Sequence, residues 1–142
     1  MFAKKTNKPL GRIDSLVGSG TKIVGDVTFN GGLRVDGEIK GNVSSTTGEQ
    51  HSTLVLSEHA RIEGEISVSH LVINGTVIGP VFSGELLELQ AHARVTGDVQ
   101  YNTIEMHLGA VVQGRLVHQG ATSKPIELKL ASNKQVLGSG SN

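Results

Sequence analysis

The sequence predicts an all-β solenoid, a triangular β-helix in which short strands wind in coils around one apolar core. The first observation is a glycine with an apolar residue two positions before it and two positions after it. Its six main centres are Gly25, Gly41, Gly64, Gly79, Gly97 and Gly114, at spacings of 16, 23, 15, 18 and 17 residues, and Gly37 and Gly75 repeat the motif four residues ahead of Gly41 and Gly79. The second observation is that apolar and polar residues alternate between these glycines, which is the period of strands with one buried face. Repetition on this length scale is typical of solenoids.

Three segments align without gaps and show what one coil contains. Residues 54–66, 87–99 and 104–116 each begin with an alternating strand, continue through a turn of small residues and end on the glycine motif. A coil of about 16–17 residues holds three short strands and three bends, and glycine at a bend lets both flanking apolar side chains point inward. The polar run at 44–50 is predicted to be a loop between the second and third coils. An up-and-down sandwich of hairpins, with turns at Asn30-Gly31 and Asn74-Gly75, is the alternative.

Charge divides the chain into three predicted segments. Residues 1–20 form a flexible arm with a net charge of +3, residues 21–120 form the repeat body with −5, and residues 121–142 form a flexible tail with +2. An acidic body disfavours nucleic acid as a partner. The absence of cysteine excludes disulfides and thiolate metal sites. The first 20 residues lack the apolar run of a signal peptide, and no stretch reaches the roughly 20 apolar residues of a spanning helix.

The body resembles one family, the bactofilins, which are bacterial polymer-forming cytoskeletal proteins. Residues 20–43, 59–66 and 95–99 carry the resemblance, which covers residues 20–120. It implies a right-handed parallel β-helix of about six coils with flexible N- and C-terminal tails. It also implies end-to-end assembly into non-polar filaments that need no nucleotide and no cofactor. The implied role is a cytoplasmic scaffold on the inner face of the cell membrane, with three partners: further copies of itself, inner-membrane lipids, and cell-wall synthesis or cell-shape proteins.

Both ends of the repeat are predicted to be polymerisation interfaces. A β-helix exposes unpaired strand edges and core side chains at its ends unless a cap covers them. The first and last coils have full apolar content and no obvious cap in the sequence; the alternative is that the tails fold back as caps. The residues predicted to carry the contact are Ile23, Val27, Phe29, Val112, Leu116 and Val117.

The N-terminal arm resembles the membrane-targeting start of many bactofilins. Met1 and Phe2 are followed closely by Lys4, Lys5 and Lys8. Burial of the Phe2 ring would contribute roughly 1.5–3 kcal/mol, and each lysine about 1 kcal/mol near anionic lipid. These five residues are therefore the predicted membrane-binding site, and a merely solvated arm is the alternative.

No catalytic or cofactor-binding residue is predicted. The carboxylate pairs Asp36/Glu38 and Glu63/Glu65 each flank a glycine and point outward on a strand, which is typical of a solvated face rather than a general acid/base pair. Enzymes with left-handed β-helices, acyltransferases and carbonic anhydrases among them, need a strict six-residue repeat that this chain does not keep. Such an enzyme, or a monomeric β-solenoid binding module, remains the alternative function.

No metal site is predicted either, although the chain has six histidines. His59 and His92 occupy equivalent repeat positions two coils apart, with Asn74 at the same position in the coil between them. Coils stack about 4.8 Å apart, so the two imidazoles are about 9.6 Å apart along the axis. That distance is too long for one shared zinc ion, and the histidines are interpreted as surface groups.

Overall fold

A computed structural model describes residues 13–46 and 51–119, and these residues form sixteen short β-strands. The strands in chain order are β1 (Ser15–Val17), β2 (Lys22–Val24), β3 (Val27–Phe29), β4 (Gly32–Val35), β5 (Glu38–Lys40), β6 (Val43–Ser45), β7 (Thr53–Leu56), β8 (Arg61–Glu63), β9 (Ile66–Ile73), β10 (Thr76–Ile78), β11 (Val81–Leu89), β12 (Arg94–Thr96), β13 (Val99–Tyr101), β14 (Thr103–Met106), β15 (Val111–Gln113) and β16 (Leu116–His118).

The strands wind into six coils, and each coil contributes one strand to each of three faces. The first face contains β1, β4, β7, the second half of β9, the second half of β11, and β14. The second face is a six-stranded sheet of β2, β5, β8, β10, β12 and β15. The third face contains β3, β6, the first half of β9, the first half of β11, β13 and β16. Because β9 and β11 continue around a corner, the first and third faces form one ten-stranded sheet.

The strand pairs of the described residues are parallel, and this confirms the solenoid over the hairpin sandwich. A hairpin sandwich requires antiparallel neighbours joined by tight turns, whereas each strand here pairs with its equivalent one coil away. Ile39 pairs with Ile62, and Val77 pairs with Ile62 and with Val95. The predicted number of coils, about six, is also confirmed.

The core is a set of in-register columns of apolar side chains. On the first face Leu33, Leu54, Leu71 and Leu87 stack directly over one another, and all four are buried. The equivalent columns on the other faces are also buried in the interior coils. Each buried side chain of this size contributes roughly 1.5–3 kcal/mol relative to an exposed one, so stacking the coils supplies the main stabilisation.

The motif glycines stack as well, and the stacking explains why the position excludes side chains. A Cβ added to Gly41 would overlap the carbonyl oxygen of Gly25, and a Cβ on Gly64 would overlap that of Gly41. Gly64 also has a φ of +154°, which L-residues rarely adopt. The apolar flanks on both sides of each interior glycine point inward as predicted; Ile39 and Val43 are fully buried.

The side chain of the residue after a motif glycine can accept a hydrogen bond from a backbone N–H of the next coil. Asp26 Oδ1 accepts a hydrogen bond from the backbone N–H of Asn42 at 2.9 Å, and Asn42 Oδ1 accepts one from Glu65 at 2.9 Å. Asp98 Oδ1 accepts one from Arg115 at 3.0 Å. These bonds hold neighbouring coils together at the corner that the second and third faces share.

The structure moves two boundaries of the predicted segments. Strand β1 lies in residues 1–20, which the sequence assigned to the arm, and pairs with Leu33–Val35 of β4. The first coil therefore starts before residue 21; a three-residue strand is too short to show a period. Ser44 and Ser45 lie in β6 rather than in the predicted loop at 44–50, and residues 47–50 lie outside the described residues. The tail at 121–142 lies outside them too.

Candidate assembly interface

In the part of the chain that the structure describes, each end of the solenoid presents three strands that pair on one side only. At the N-terminal end β1, β2 and β3 pair with β4, β5 and β6. At the C-terminal end β14, β15 and β16 pair with β11, β12 and β13. Among residues 13–46 and 51–119, no further strand pairs with the outer edges of these six. Unpaired edges are templates for pairing with another chain.

The C-terminal end exposes apolar core positions. Leu89 is 0% exposed, whereas Met106, which follows it in the same inward column and ends that column, is 47% exposed. Likewise, Val99 is 1% exposed, whereas Leu116, which ends its column, is 44% exposed. The step occurs because, among the described residues, the last coil packs against another coil on one side only, so part of each end side chain is left uncovered by them.

The N-terminal end is apolar too, but its inward side chains are better covered. Ile23 and Val27 are half-buried, and Phe29 is buried. Its most exposed apolar side chains point outward instead, at Leu16 and Val24. Both ends therefore present apolar surface, with more of it at core positions at the C-terminal end.

Exposed apolar side chains concentrate at the two ends. Among the described residues, the large hydrophobics that are exposed are Ile13, Leu16, Val24, Ile78, Met106, Leu108, Val111 and Leu116. Seven of these eight lie in the first or last coil, and Ile78 is the exception. Large apolar surface at these positions is typical of a contact with another macromolecule.

The structure places five of the six predicted interface residues in inward columns at the ends. These are Ile23, Val27, Phe29, Val112 and Leu116. Val117 differs, because it is in register with the outward-facing Gln100 and points away from the core. His118 occupies the inward position instead, and its ring lies 5.5 Å from that of Tyr101. An interface role for the six residues stays a prediction.

Several end residues were not predicted from the sequence. Met106, Leu108 and Val111 are exposed at the C-terminal end, and Leu16 and Val24 at the N-terminal end. The gapless alignment of 104–116 with 87–99 already pairs Met106 with Leu89, so this signal could have identified Met106. Leu16 lies in a strand too short to be recognised by periodicity.

One side-chain cluster near the C-terminal end has the composition of a cation site. Glu88 and Glu105 are register partners on the first face, and His107 Nε2 lies 3.1 Å from Glu88 Oε2 and 3.4 Å from Glu105 Oε2. One ligand atom from each of the three residues lies within 4.8 Å of the others. Gln90 Nε2 donates a hydrogen bond to Glu88 Oε2 at 3.1 Å. His107 Nε2 therefore lies within 3.4 Å of two carboxylates that are in register on neighbouring coils.

His59 and His92 lie in the column that the sequence predicted. Arg61, Thr76 and Arg94 are in register, which confirms that His59, Asn74 and His92 lie in one column. Asn74 Oδ1 accepts a hydrogen bond from the His92 backbone N–H at 2.9 Å.

His70 corrects the prediction of surface histidines. It is buried, and its Nε2 lies 3.1 Å from Glu85 Oε1. It begins the first-face segment of β9, where the chain turns a corner and both His70 and Leu71 are covered.

Two of the four carboxylates that the sequence assigned to a solvated face, Asp36 and Glu63, form ion pairs with an arginine on the same strand or turn. Asp36 pairs with Arg34 at 3.0 Å and Glu63 with Arg61 at 2.8 Å. Arg115 pairs with Asp98 of the adjacent coil at 3.3 Å. The hydrogen bonds from the Arg115 backbone and side chain lower the pKa of Asp98.

The predicted membrane-binding residues Met1, Phe2, Lys4, Lys5 and Lys8 lie outside the described residues. Within the part of the chain that the structure describes, no helix is long and apolar enough to cross a membrane.

Comparisons with known proteins agree with this architecture. The family model of the bactofilins, described as polymer-forming cytoskeletal proteins, matches residues 15–117. Bactofilin BacO of Myxococcus xanthus (strain DK1622) is 25% identical over 103 residues, which span 72% of this chain and 78% of that protein. A bactofilin of Thermus thermophilus, solved by cryo-EM as double helical filaments, is 27% identical with a TM-score of 0.64. That match covers 73% of this chain and 98% of the Thermus chain.

Proposed function

Because the chain belongs to the bactofilin family of polymer-forming cytoskeletal proteins, we propose that it assembles end to end into nucleotide-independent filaments. In this proposal the filaments are non-polar, so like ends meet. They lie on the inner face of the cell membrane and act as a scaffold that localises cell-wall or cell-shape proteins. The filaments associate in pairs, by analogy with the double helical filaments of the Thermus bactofilin.

The location of exposed apolar side chains carries the proposal. Seven of the eight large exposed hydrophobics of the described residues lie in the first or last coil, where six strand edges are also unpaired among those residues. Stacking a second copy on either end satisfies both features at once, because it supplies backbone partners to the edges and covers the apolar residues. A β-helix enzyme needs neither feature, so this distribution favours a polymer.

Membrane attachment rests on the arm and on avidity. A single Phe2 ring with three lysines would bind anionic lipid only marginally, by about 1.5–3 kcal/mol from the ring and about 1 kcal/mol from each lysine. A filament presents one arm for each copy, and linked binding events raise overall affinity without any new contact. We therefore expect the polymer to bind the membrane far more strongly than one copy.

Negative-stain electron microscopy of the purified protein in nucleotide-free buffer tests polymerisation. The expected result is filaments whose amount rises with protein concentration and does not change when ATP or GTP is added. A protein that stays a monodisperse monomer at high concentration would contradict the proposal and favour a binding module.

Sedimentation with anionic liposomes tests the membrane part separately. Deletion of residues 2–8 should leave filaments intact and abolish co-sedimentation, because the deleted residues precede the first strand of the coils. Phe2→Ala should weaken binding at every salt concentration, whereas high salt should mimic Lys4→Glu with Lys5→Glu, since screening acts on the charges alone. If the truncated protein still sediments with liposomes, the membrane site lies elsewhere in the chain.

A further inference from the structure

The third face of the solenoid carries no Asp, Glu, Lys or Arg on any of its six strand segments. These segments are residues 27–29, 43–45, 66–69, 81–83, 99–101 and 116–118. The side chains in the central outward column are Thr28, Ser44, Ser67, Phe82, Gln100 and Val117, which the strand registers place side by side. Small hydroxyl groups thus occupy one end of the column, and larger uncharged side chains the other.

The other two faces are different. The second face carries charged residues on both sides of its inward column, and these are Lys22, Glu38, Lys40, Arg61, Glu63 and Arg94. The first face carries Arg34, Glu88 and Glu105 in its central outward column. When a charged sheet face packs against the same face of another copy, like charges come into contact unless the two faces are aligned so that opposite charges meet. Like charges in contact are unfavourable. An uncharged face meets its own copy without that cost.

We propose that the third face is the lateral contact through which two filaments of this chain pair. The inference rests on the proposed function, because it requires filaments and their association in pairs. Its occupant is the third face of a second filament of the same chain. Threonine, serine and glutamine side chains can both donate and accept hydrogen bonds, so they complement themselves across such a contact.

The area of the third face indicates that filaments can pair through it, whereas single copies cannot pair stably. Six coils at about 4.8 Å and strands of three residues at about 3.3 Å give a face of about 29 by 10 Å, or about 290 Å² per copy. Two such faces bury about 580 Å² in total, which is below the roughly 1,000 Å² of a specific stable interface. Five consecutive copies in each filament bury about 2,900 Å² by the same estimate, which lies in the range of permanent complexes. Lateral pairing therefore depends on end-to-end assembly.

Two double variants with equal added charge test the assignment. The first is Ser67→Lys with Gln100→Lys, which places two lysines on the third face. The matched control is Val72→Lys with Thr96→Lys, which places one lysine on each of the other two faces. Ser67 and Thr96 are both exposed, and Gln100 and Val72 are both half-buried and point outward. Neither variant sets two lysines in neighbouring strands.

Filament width and mass per length are measured by electron microscopy at low salt. We expect paired filaments for the wild type and for the control, and single filaments for the third-face variant. Preformed filaments of Ser67→Glu with Gln100→Glu should pair with preformed filaments of the lysine variant, because opposite charges then meet across the same face.

Each other outcome has a distinct meaning. Third-face lysine filaments that stay paired, or control filaments that become single, overturn the assignment of this face. Wild-type filaments that are single overturn lateral pairing while leaving polymerisation intact. A wild type that forms no filaments overturns the proposed function itself.

Discussion

Substitution of Leu116 by arginine is expected to break the C-terminal contact and leave the N-terminal one. Leu116 ends the inward column above Val99 and is 44% exposed. The long arginine side chain can reach solvent from this position in a single copy, so the coil should still form. In the filament the same side chain would carry a charge into the contact between copies.

The expected magnitude follows from the apolar surface that Met106 and Leu116 leave uncovered. Full burial of such a side chain contributes roughly 1.5–3 kcal/mol, and these two are 47% and 44% exposed. Covering the exposed parts contributes about 0.7–1.4 kcal/mol each, and both copies contribute where like ends meet. The two residues then supply about 3–5 kcal/mol to one junction, or about two to four powers of ten in its dissociation constant. Arginine at position 116 removes about half of this free energy and, where like ends meet, places two guanidinium groups close enough to repel each other.

Sedimentation equilibrium then reports filament polarity. In a non-polar filament the N-terminal junctions survive, so Leu116→Arg should give dimers. In a polar filament every junction contains one C-terminal end, so the same variant should give monomers. Ile23→Arg, which affects the N-terminal end, should likewise give dimers in a non-polar filament. Circular dichroism should show an unchanged strand content in both variants.

Long filaments of the folded Leu116→Arg protein at micromolar concentration would refute the reasoning. That result would show that the exposed ends of the inward columns are not the contact.

Three further predictions concern the fold. Ile66→Ala should lower the free energy of unfolding by about 2–5 kcal/mol, measured by urea denaturation, because the side chain is fully buried; a loss under about 1 kcal/mol would be inconsistent with the core. Gly64→Ala should prevent stable folding because its Cβ overlaps backbone, whereas Gly84→Ala, with no atom closer than 3.8 Å, should fold; equal stability of the two would contradict the stacking. Arg115→Gln should remove the side-chain part of a stabilisation that accompanies the lowered pKa of Asp98, while the hydrogen bond from the backbone N–H of residue 115, which is the larger cause, remains. That stabilisation is present at neutral pH and is lost as the pH falls through the lowered pKa, so the variant's stability should fall less steeply in acid.

The sequence was sufficient to predict the architecture because each coil repeats the same glycine motif, and that motif specifies the same bend each time. Each apolar-x-Gly-x-apolar unit specifies a bend whose flanks face inward, and the structure buries Ile39 and Val43 on either side of Gly41. The stacking also forbids a Cβ at that glycine, which is why the motif persists through spacings as different as 15 and 23 residues.

The ends were harder to predict because side-chain direction depends on the register of a single short strand. Val117 follows Leu116 directly, and both are apolar, yet only Leu116 continues the column of Val99. Strand β1 has three residues and no glycine motif, so its pairing with β4 is a tertiary effect. The contact between His107 and two glutamates likewise joins adjacent coils, and no local pattern reports it.

The axial repeat of wild-type filaments, measured by cryo-EM, tests end-to-end stacking most directly. Six coils at about 4.8 Å give about 29 Å for one copy, and like ends that meet give a repeat of about 58 Å. We predict this repeat together with a strong spacing of about 4.8 Å along the filament axis. Filaments in which that spacing lies across the axis would contradict the stacking of coils from copy to copy.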